Sequence, residues 1–248
     1  MRRRELFLLV LILVCTLVQN ANGQATNLHD HKFEIGGQFT LLTGSIVTQI
    51  DDRSVVCVTT PCPPPNIVFS RNRKTQPGLG GRLGYNLNSS VAIEGEVNFF
   101  PGADSFSEPE QFKNGLFVEG LFGVKAGKRF EKFGMFGKAR PGFLHASKGN
   151  LEANPLVGCP AIFPPPAACF QTTSTDSFVF DVGGVLEVYP SERAIIRIDA
   201  GDSMIRFGER QISTGFSRTG SIPRPAVWPL PAETSHNFQA SVGIGFRF

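Results

Sequence analysis

Hydrophobic and polar residues alternate strictly along the last twelve residues of the chain, 237–248. Phe238, Val242 and Phe246 share one face of this pattern, whereas Gln239 and Arg247 share the other. A period of two residues is typical of a β-strand, because successive side chains point to opposite sides of the backbone. The run is about twice the usual strand length of about 5–6 residues, which a soluble β-sandwich does not explain.

Seven further segments show the same alternation. Together with the last one, they cover residues 32–44, 79–87, 91–99, 116–125, 133–143, 178–188, 194–199 and 237–248. No segment has a comparable period of 3.6 residues, so the pattern gives no reason to predict helices. The sequence therefore predicts an all-β fold with eight strands.

Short and long connections alternate between these strands. The short ones lie near 88–90, 128–132 and 190–192, and the long ones span 45–77, 101–114, 146–176 and 207–235. Transmembrane barrels of the bacterial outer membrane have this asymmetry, with strands of about 9–11 residues, short periplasmic turns and long external loops. We therefore expect an eight-stranded antiparallel transmembrane up-and-down β-barrel with short periplasmic turns and four long extracellular loops.

The face opposite the apolar one carries seven acids and six bases. These thirteen residues are Glu34, Arg82, Glu94, Glu96, Glu119, Lys125, Lys138, Arg140, Asp181, Glu187, Arg197, Asp199 and Arg247. Inside a closed barrel each charge requires a partner, because burying an unpaired charge is very costly. The positions of the turns predict three pairs: Glu119 opposite Arg140, Glu187 diagonal to Arg197, and Glu34 near Arg247. Since eight strands leave room only for side chains, we expect a charge-filled interior without a wide channel.

The N-terminus has the features of an export signal. Three arginines at positions 2–4 precede a largely apolar run of 13 residues, Leu6–Val18, and small residues follow at Ala21–Gly23. A helix needs about 20 residues to span a bilayer, so the run predicts a cleaved signal peptide over 1–23 and a barrel domain over 24–248. Without the signal, 21 of the 24 basic and 20 of the 21 acidic residues remain. This near balance gives no electrostatic basis for binding nucleic acid.

With eight alternating strands, four long loops and the terminal segment SVGIGFRF, the chain resembles the bacterial outer-membrane β-barrel family related to the OmpA transmembrane domain and OmpX. The resemblance covers about residues 32–248. It implies localisation in the cell outer membrane, contact with outer-membrane lipid and lipopolysaccharide, and insertion by the barrel-assembly machinery. It also implies that Phe248, with Phe246 and Ile244 before it, is the assembly signal.

Four cysteines lie in two Pro-rich segments of the predicted extracellular loops. They are Cys57, Cys62, Cys159 and Cys169. An even number of cysteines in an exported chain favours disulfides. Pairing the first with the second and the third with the fourth is the simplest of three connectivities, since each bond closes a short loop. A zinc site is the alternative, but two distant loops would have to bring four thiolates together.

Candidate chemistry is confined to short polar motifs. His145 and Ser147 resemble the His-x-Ser motif of lipid A deacylases that are eight-stranded barrels, and a serine beside a base is a general nucleophile design. Lys148 follows this serine where the deacylases have Asn, and no matching acid is evident in the sequence. The His-Asp-His motif at 29–31 precedes the first strand and lacks further ligands. We therefore expect no enzyme activity, no metal site and no cofactor.

The predicted loops are the main candidate for a binding surface. Residues 221–233 place Trp228 among four prolines, a stiff extended segment with an aromatic anchor. Binding function concentrates in long surface loops. The sequence thus predicts a monomeric, structural or adhesin-like surface barrel with an unknown extracellular partner. Three alternatives stay open: a narrow-pore porin, a lipid A-modifying hydrolase, and a soluble lipocalin-like carrier with its apolar residues inside.

Overall fold

The chain contains ten β-strands within the part that the computed structural model describes, residues 32–53, 66–103, 115–154, 156–157, 170–217 and 224–248. The strands are β1 (Phe33–Arg53), β2 (Asn66–Asn86), β3 (Val91–Ala103), β4 (Gly115–Arg129), β5 (Phe133–Ala153), β6 (Phe170–Val188), β7 (Ala194–Phe207), β8 (Arg210–Ser217), β9 (Arg224–Leu230) and β10 (Glu233–Arg247). No helix in these ranges is long and apolar enough to cross a membrane.

Eight of the strands form one closed antiparallel sheet. Strands β1 to β7 each pair with the next in sequence, and β10 closes the barrel by pairing with both β7 and β1. Glu34 lies opposite Arg247 in the closing ladder. Phe33 and Phe248 exchange backbone hydrogen bonds of 3.2 and 2.8 Å beside them. The predicted eight-stranded up-and-down barrel is therefore confirmed.

The two ends of the barrel differ. The short connections 87–90, 130–132 and 189–193 lie at the end where Phe33 meets Phe248, which we call the turn end. The opposite end, which we call the loop end, has the connections 54–65, 104–114, 154–169 and 208–232. In barrels of this class the short turns face the periplasm and the longer loops face outside. The loop end is therefore the external end.

Two of the predicted long loops are shorter than expected because strands continue into them. β1 and β2 remain paired up to Arg53 opposite Asn66, and β5 and β6 up to Ala153 opposite Phe170. The first and third predicted loops are wrong in this respect. The sequence pattern marks a strand by its lipid-facing apolar residues, whereas backbone pairing continues beyond the lipid without them.

The last predicted loop also contains strands. β8 and β9 form a separate two-stranded sheet in which Arg210 lies opposite Leu230. A register shift between Ser213 and Phe216 interrupts this pairing. Because the shift breaks the period of two residues, the sequence pattern did not reveal this hairpin.

The barrel is inverted relative to a soluble protein. Phe238, Val242 and Phe246 are 58, 49 and 55% exposed, whereas Arg82 and Arg140 are 5 and 1% exposed. Apolar side chains thus cover the outside and charged side chains fill the inside, as in a protein surrounded by acyl chains. The lipocalin-like alternative requires the reverse arrangement and is wrong. The chain is a membrane-spanning barrel of the outer-membrane type.

Candidate functional sites in the barrel interior and on its outer face

The structure places all thirteen charged residues of the predicted polar face inside the barrel, where each is at most 5% exposed. The interior also contains the buried side chain of Arg129. Among the residues that the structure describes, seven buried acids and seven buried bases therefore balance there. Arg129 follows Lys125 by four residues on the inward side of β4. Continuing the alternation beyond the last apolar residue could have identified it, but the sequence interpretation assigned it to a turn.

Arg197 binds two acids at once. Its guanidinium contacts Glu94 through Nη1 and, at 2.9 Å, through Nη2. It also donates to Asp199 through Nε and Nη2, both at 2.8 Å. A planar guanidinium matches carboxylates in this two-bond geometry. Since all three side chains are buried, the protein itself compensates their charges.

Lys125 lies among three acids. Its Nζ atom is 2.5 Å from Glu187, 3.1 Å from Glu94 and 3.3 Å from Glu34. An ammonium group has three donors, so each acid can accept one hydrogen bond. Because Glu187 is on β6 and Glu34 is on β1, this lysine connects β4 to strands that are not its neighbours in the sheet.

A second ion cluster surrounds Arg140. Its Nη2 atom is 2.7 Å from Asp181 and its Nη1 atom is 2.5 Å from Glu96. The Nζ atom of Lys138 is 3.0 Å from the same oxygen of Asp181. Arg82 is less well compensated, because the ion pair that it forms spans 3.9 Å and its two Nη atoms lack hydrogen-bond partners within the described structure. The interior charges therefore differ in how completely they are paired.

The predicted pairing of Glu119 with Arg140 is wrong. Glu119 lies opposite Leu144 on β5. Because Arg129 pairs with Gly134, the turn between β4 and β5 is centred about two residues later than predicted. When the centre of a turn moves by one residue, the residue opposite any given position changes by two. The small error in the position of this turn therefore separated Glu119 from Arg140.

The other two predicted pairs are both opposite each other in the sheet, but they differ in whether their charged groups meet. Glu187 is directly opposite Arg197 rather than diagonal to it, with an ion-pair distance of 3.6 Å. Glu34 is opposite Arg247 in the barrel ladder. Its carboxylate nevertheless points to Arg129, at 3.0 Å. Proximity in a ladder therefore did not determine which charges bind each other.

A layer of amide side chains lies between the ion clusters and the loop end. Asn98 donates to Glu96 and Glu119, both at 2.8 Å, and Gln239 donates to Glu119 at 2.8 Å. Gln38 donates to Asn98 at 2.9 Å. Glu119 is fully buried, and no base in the described ranges lies within ion-pair distance of it. Neutral amides hold this carboxyl group.

The interior is apolar at the loop end. The buried cluster there consists of Leu42, Phe100, Phe117, Leu121, Leu144, Ala146, Val179, Ile205 and Phe207. Along β3, the inward residues from the turn end to the loop end are Glu94, Glu96, Asn98 and Phe100. The expected charge-filled interior therefore does not extend to this end, which is filled by apolar side chains. The signal was present in the sequence, because Phe100 and Phe117 lie at inward positions of the alternation.

Tyr189 covers the interior at the turn end. Its ring lies 4.5 Å from the guanidinium carbon of Arg247 and 5.8 Å from that of Arg129. Its hydroxyl group donates to Glu187 at 2.8 Å and accepts from Arg129 at 3.1 Å. Arg247 in turn donates to the backbone oxygen of Glu192. Cation–π contacts and hydrogen bonds thus hold an aromatic ring across this end.

The candidate hydrolase residues lie on the outer face near the loop end. The Nδ1 atom of His145 is 2.7 Å from Oδ1 of Asp176, which is directly opposite on β6. The expectation that no acid accompanies this histidine is therefore wrong. The Oγ atom of Ser147 accepts a hydrogen bond of 2.8 Å from the backbone N–H of Leu116, and no hydrogen bond joins it to His145 within the described structure. A serine nucleophile requires its base within hydrogen-bond reach, so these residues do not form a catalytic triad here.

The remaining predicted site residues fall into three groups. Ile244, Phe246 and Phe248 are exposed on or beside the lipid-facing side. Trp228 lies opposite Ile212 in the β8–β9 hairpin, and its side chain is outside the described part of the structure. Also outside it are Cys57, Cys62, Cys159, Cys169, the predicted signal segment 1–23 and the histidine motif at 29–31.

Several solved structures are similar to this chain. Ail, the attachment invasion locus protein of Yersinia pestis, solved with the heparin analogue sucrose octasulfate, has 13% identity and a TM-score of 0.43 over 88% of this chain and 99% of that chain. Neisserial surface protein A has 10% identity and a TM-score of 0.43 over 87 and 97% of the two chains. The outer membrane protein OprG from Pseudomonas aeruginosa has 10% identity and a TM-score of 0.42 over 88 and 96%. No family model matches this chain, and no curated protein is significantly similar in sequence.

The membrane assignment rests on the geometry of this chain itself. A closed sheet satisfies the backbone hydrogen bonds that lipid cannot, and the outward apolar residues match an acyl-chain environment. The balanced charges are all directed inward. The chain is thus an outer-membrane-type β-barrel with a packed interior.

Proposed function

We propose that this chain is a non-enzymatic outer-membrane surface protein whose packed barrel supports external β-arms that bind an extracellular partner. The observation that carries this proposal is strand length. β1, β2 and β5 have 21 residues each, about twice the 9–11 residues that span a membrane. The additional paired backbone lies at the loop end, where β1 pairs with β2 and β5 pairs with β6.

The interior supports an anchoring role more than a transport role. Between Tyr189 at the turn end and Phe100 at the loop end, the ion clusters and amide layer contain fully buried side chains such as Arg197 and Lys125. A conducting path would have to separate these ion pairs, and breaking one buried pair costs about 3–5 kcal/mol. The packing therefore favours a structural anchor over the narrow-pore alternative.

The β8–β9 hairpin is a second surface element that supports the proposal. It forms its own two-stranded sheet, separate from the barrel ladder. The hairpin also contains Trp228 and the Pro-rich sequence that the sequence analysis identified as a binding candidate. An element outside the barrel ladder can change without disturbing the membrane-spanning part, which suits a recognition surface.

Removal of the external elements tests this proposal. One variant replaces 46–72 with a short Gly–Ser turn between the ladder partners Ser45 and Arg73. Another replaces 210–230 with a Gly–Ser linker. We expect both to retain the heat-dependent gel shift of a folded barrel. Bacteria that produce them should adhere less to cultured epithelial cells than bacteria with the intact chain.

A matched control replaces 210–230 with the same residues in scrambled order, which keeps the length and composition of the segment. We expect this control to lose adhesion if recognition depends on the hairpin sequence. Adhesion that is unchanged in both single variants and in the combined variant would contradict the proposed surface function.

A further inference from the structure

Two arginines lie on the outer face of the barrel, beyond its apolar band at the loop end. Arg73 shares the outward face of β2 with Leu79, and Arg206 shares the outward face of β7 with Ile198. The side chains of both arginines are exposed. Because the apolar residues of both faces lie closer to the turn end, the two guanidinium groups lie at the external boundary of the membrane.

Hydroxyl groups lie on the same outer face, on the two strands between these arginines and beside them. The Oγ1 atoms of Thr43 on β1 and Thr75 on β2 are 2.9 Å apart. The Nη1 atom of Arg206 donates to Oγ1 of Thr234 on β10 at 3.2 Å. We call the exposed donors on these four adjacent strands the arginine patch: Thr43, Arg73, Thr75, Arg206, Thr234 and His236.

The charges around the barrel are unequal at this level. Asp202 is the acid beside the arginine patch, and its Oδ2 atom is 2.6 Å from Nδ1 of His236. Two arginines therefore lie near one acid that already has a partner. On the opposite side of the barrel, the outward residues of β5 and β6 at the loop end are His145, Ser147 and Asp176. Positive charge thus favours anion binding on the side of the patch.

The surface below the patch indicates that the anion belongs to a lipid. Leu79 and Phe238, which are 65 and 58% exposed, lie on the same outward faces of β2 and β10 and closer to the turn end. Acyl chains cover such a surface in the bilayer. A ligand that fits both parts therefore has negative charge at the external boundary and acyl chains below it.

We propose that the arginine patch binds the phosphorylated sugar headgroup of one lipopolysaccharide molecule in the external leaflet. A guanidinium group binds phosphate through two parallel hydrogen bonds, and the threonine hydroxyls donate to sugar oxygens. The lipid A part of this molecule has a phosphate at each end of a disaccharide. Since β1 and β10 separate β2 from β7, the backbones of the two arginines are about 14 Å apart. The disaccharide lies across β1 and β10, with one phosphate toward each arginine.

Photocrosslinking in vesicles tests which side of the barrel binds. The photoreactive residue p-benzoylphenylalanine replaces either Thr75 in the patch or Ser147, an exposed outward residue on the opposite side. The folded full-length chain is placed in phosphatidylcholine vesicles that contain a small fraction of lipopolysaccharide. We expect several-fold more crosslinked lipopolysaccharide from position 75 than from position 147. Equal yields from the two positions would overturn the choice of side.

Substitution of both arginines tests their role. We expect Arg73→Gln combined with Arg206→Gln to weaken the binding of fluorescent lipopolysaccharide by at least about tenfold, since charge-assisted hydrogen bonds to phosphate are lost. The matched control, Lys128→Gln combined with Arg193→Gln, removes the same charge from exposed residues at the turn end. This control should bind like the unsubstituted chain, and the heat-dependent gel shift shows that both variants are folded. Unchanged binding in the first variant, or an equal loss in both, would overturn the patch as the site.

Dephosphorylated lipid A tests the group that is recognised. We expect removal of both phosphates to reduce the crosslinking from position 75 to the level seen at position 147. A yield that does not depend on the phosphates would overturn phosphate recognition. Excess inorganic phosphate should leave the crosslinking of lipopolysaccharide unchanged, because it lacks the sugar and acyl contacts. Its displacement by inorganic phosphate would overturn the choice of a lipid.

Discussion

Individual buried acids in the barrel differ in their partners. Glu94 contacts both Arg197 and Lys125, whereas Glu119 is held by Asn98 and Gln239. Removing one member of a buried ion pair leaves an uncompensated charge. A carboxyl group that is held by neutral amides leaves no such charge when it is replaced by an amide.

This difference in partners predicts a large loss of stability for one Glu→Gln substitution and a small one for another. We expect Glu94→Gln to lower the free energy of unfolding by about 3 kcal/mol, since it leaves two bases with less compensation. Glu119→Gln should change it by less than about 1 kcal/mol. Urea unfolding of each variant in phospholipid vesicles measures both values, and equal losses would contradict the partner assignments.

Ser147, near the loop end, gives a second prediction for a single residue. Because Ser147 binds the backbone of Leu116 and not His145, we expect Ser147→Ala to leave the acylation of lipid A unchanged in cells that produce the chain. Mass spectrometry of extracted lipid A measures this, with cells lacking the chain as the control. Deacylated lipid A that appears with the intact chain and disappears with the variant would contradict the non-enzymatic assignment.

At the scale of the strand pair, close backbone contact restricts particular positions. A Cβ atom added to Gly183 on β6 would lie 2.2 Å from the backbone oxygen of Ala200 on β7. At the adjacent Gly184 the nearest atom, an oxygen of Phe136, would be 4.0 Å away. Two neighbouring glycines of one strand therefore have different structural roles.

We accordingly expect Gly183→Ala to lower the free energy of unfolding by about 1–3 kcal/mol, as overpacked substitutions do. Gly184→Ala, with the same change in chemistry, should have little effect. The temperature at which each variant loses the folded band on a gel provides the comparison. A similar midpoint for the two variants would show that β6 and β7 do not approach as closely as described.

The whole molecule is a barrel whose interior changes in character along its axis. Tyr189 and its arginine contacts lie at the turn end, ion clusters and amides follow, and apolar side chains around Phe100 lie at the loop end. The polar part is shielded from water at both ends. Buried charges interact more strongly when water is excluded, so this order strengthens the ion pairs that connect distant strands.

This arrangement predicts that the barrel does not conduct ions in steady steps. In a planar lipid bilayer, we expect the purified chain to produce no stable single-channel currents under conditions in which a large porin does. The porin confirms that the bilayer reports open channels. Stable steps from the chain itself would contradict the packed interior and favour the narrow-pore alternative.

Many structural features could be predicted from the place of each residue in the alternating pattern. The alternation around Phe238 and Arg247 predicted both the strand and its two faces, because side-chain direction in a strand depends only on position parity. The inward charges followed from the same rule. Arg129 and Phe100 also obey it, and were missed because the interpretation stopped each strand where its outward apolar residues ended.

The sequence by itself thus determined the class of fold and which residues share a face of each strand, since these depend on local periodicity. Only the tertiary structure decided which face lies outside the barrel and which residues meet, such as Glu119 with Gln239 and His145 with Asp176. Such contacts depend on the register at each turn and on the closure of the sheet. A displacement of a single residue at a turn changes every partner beyond it, and no local pattern specifies that displacement.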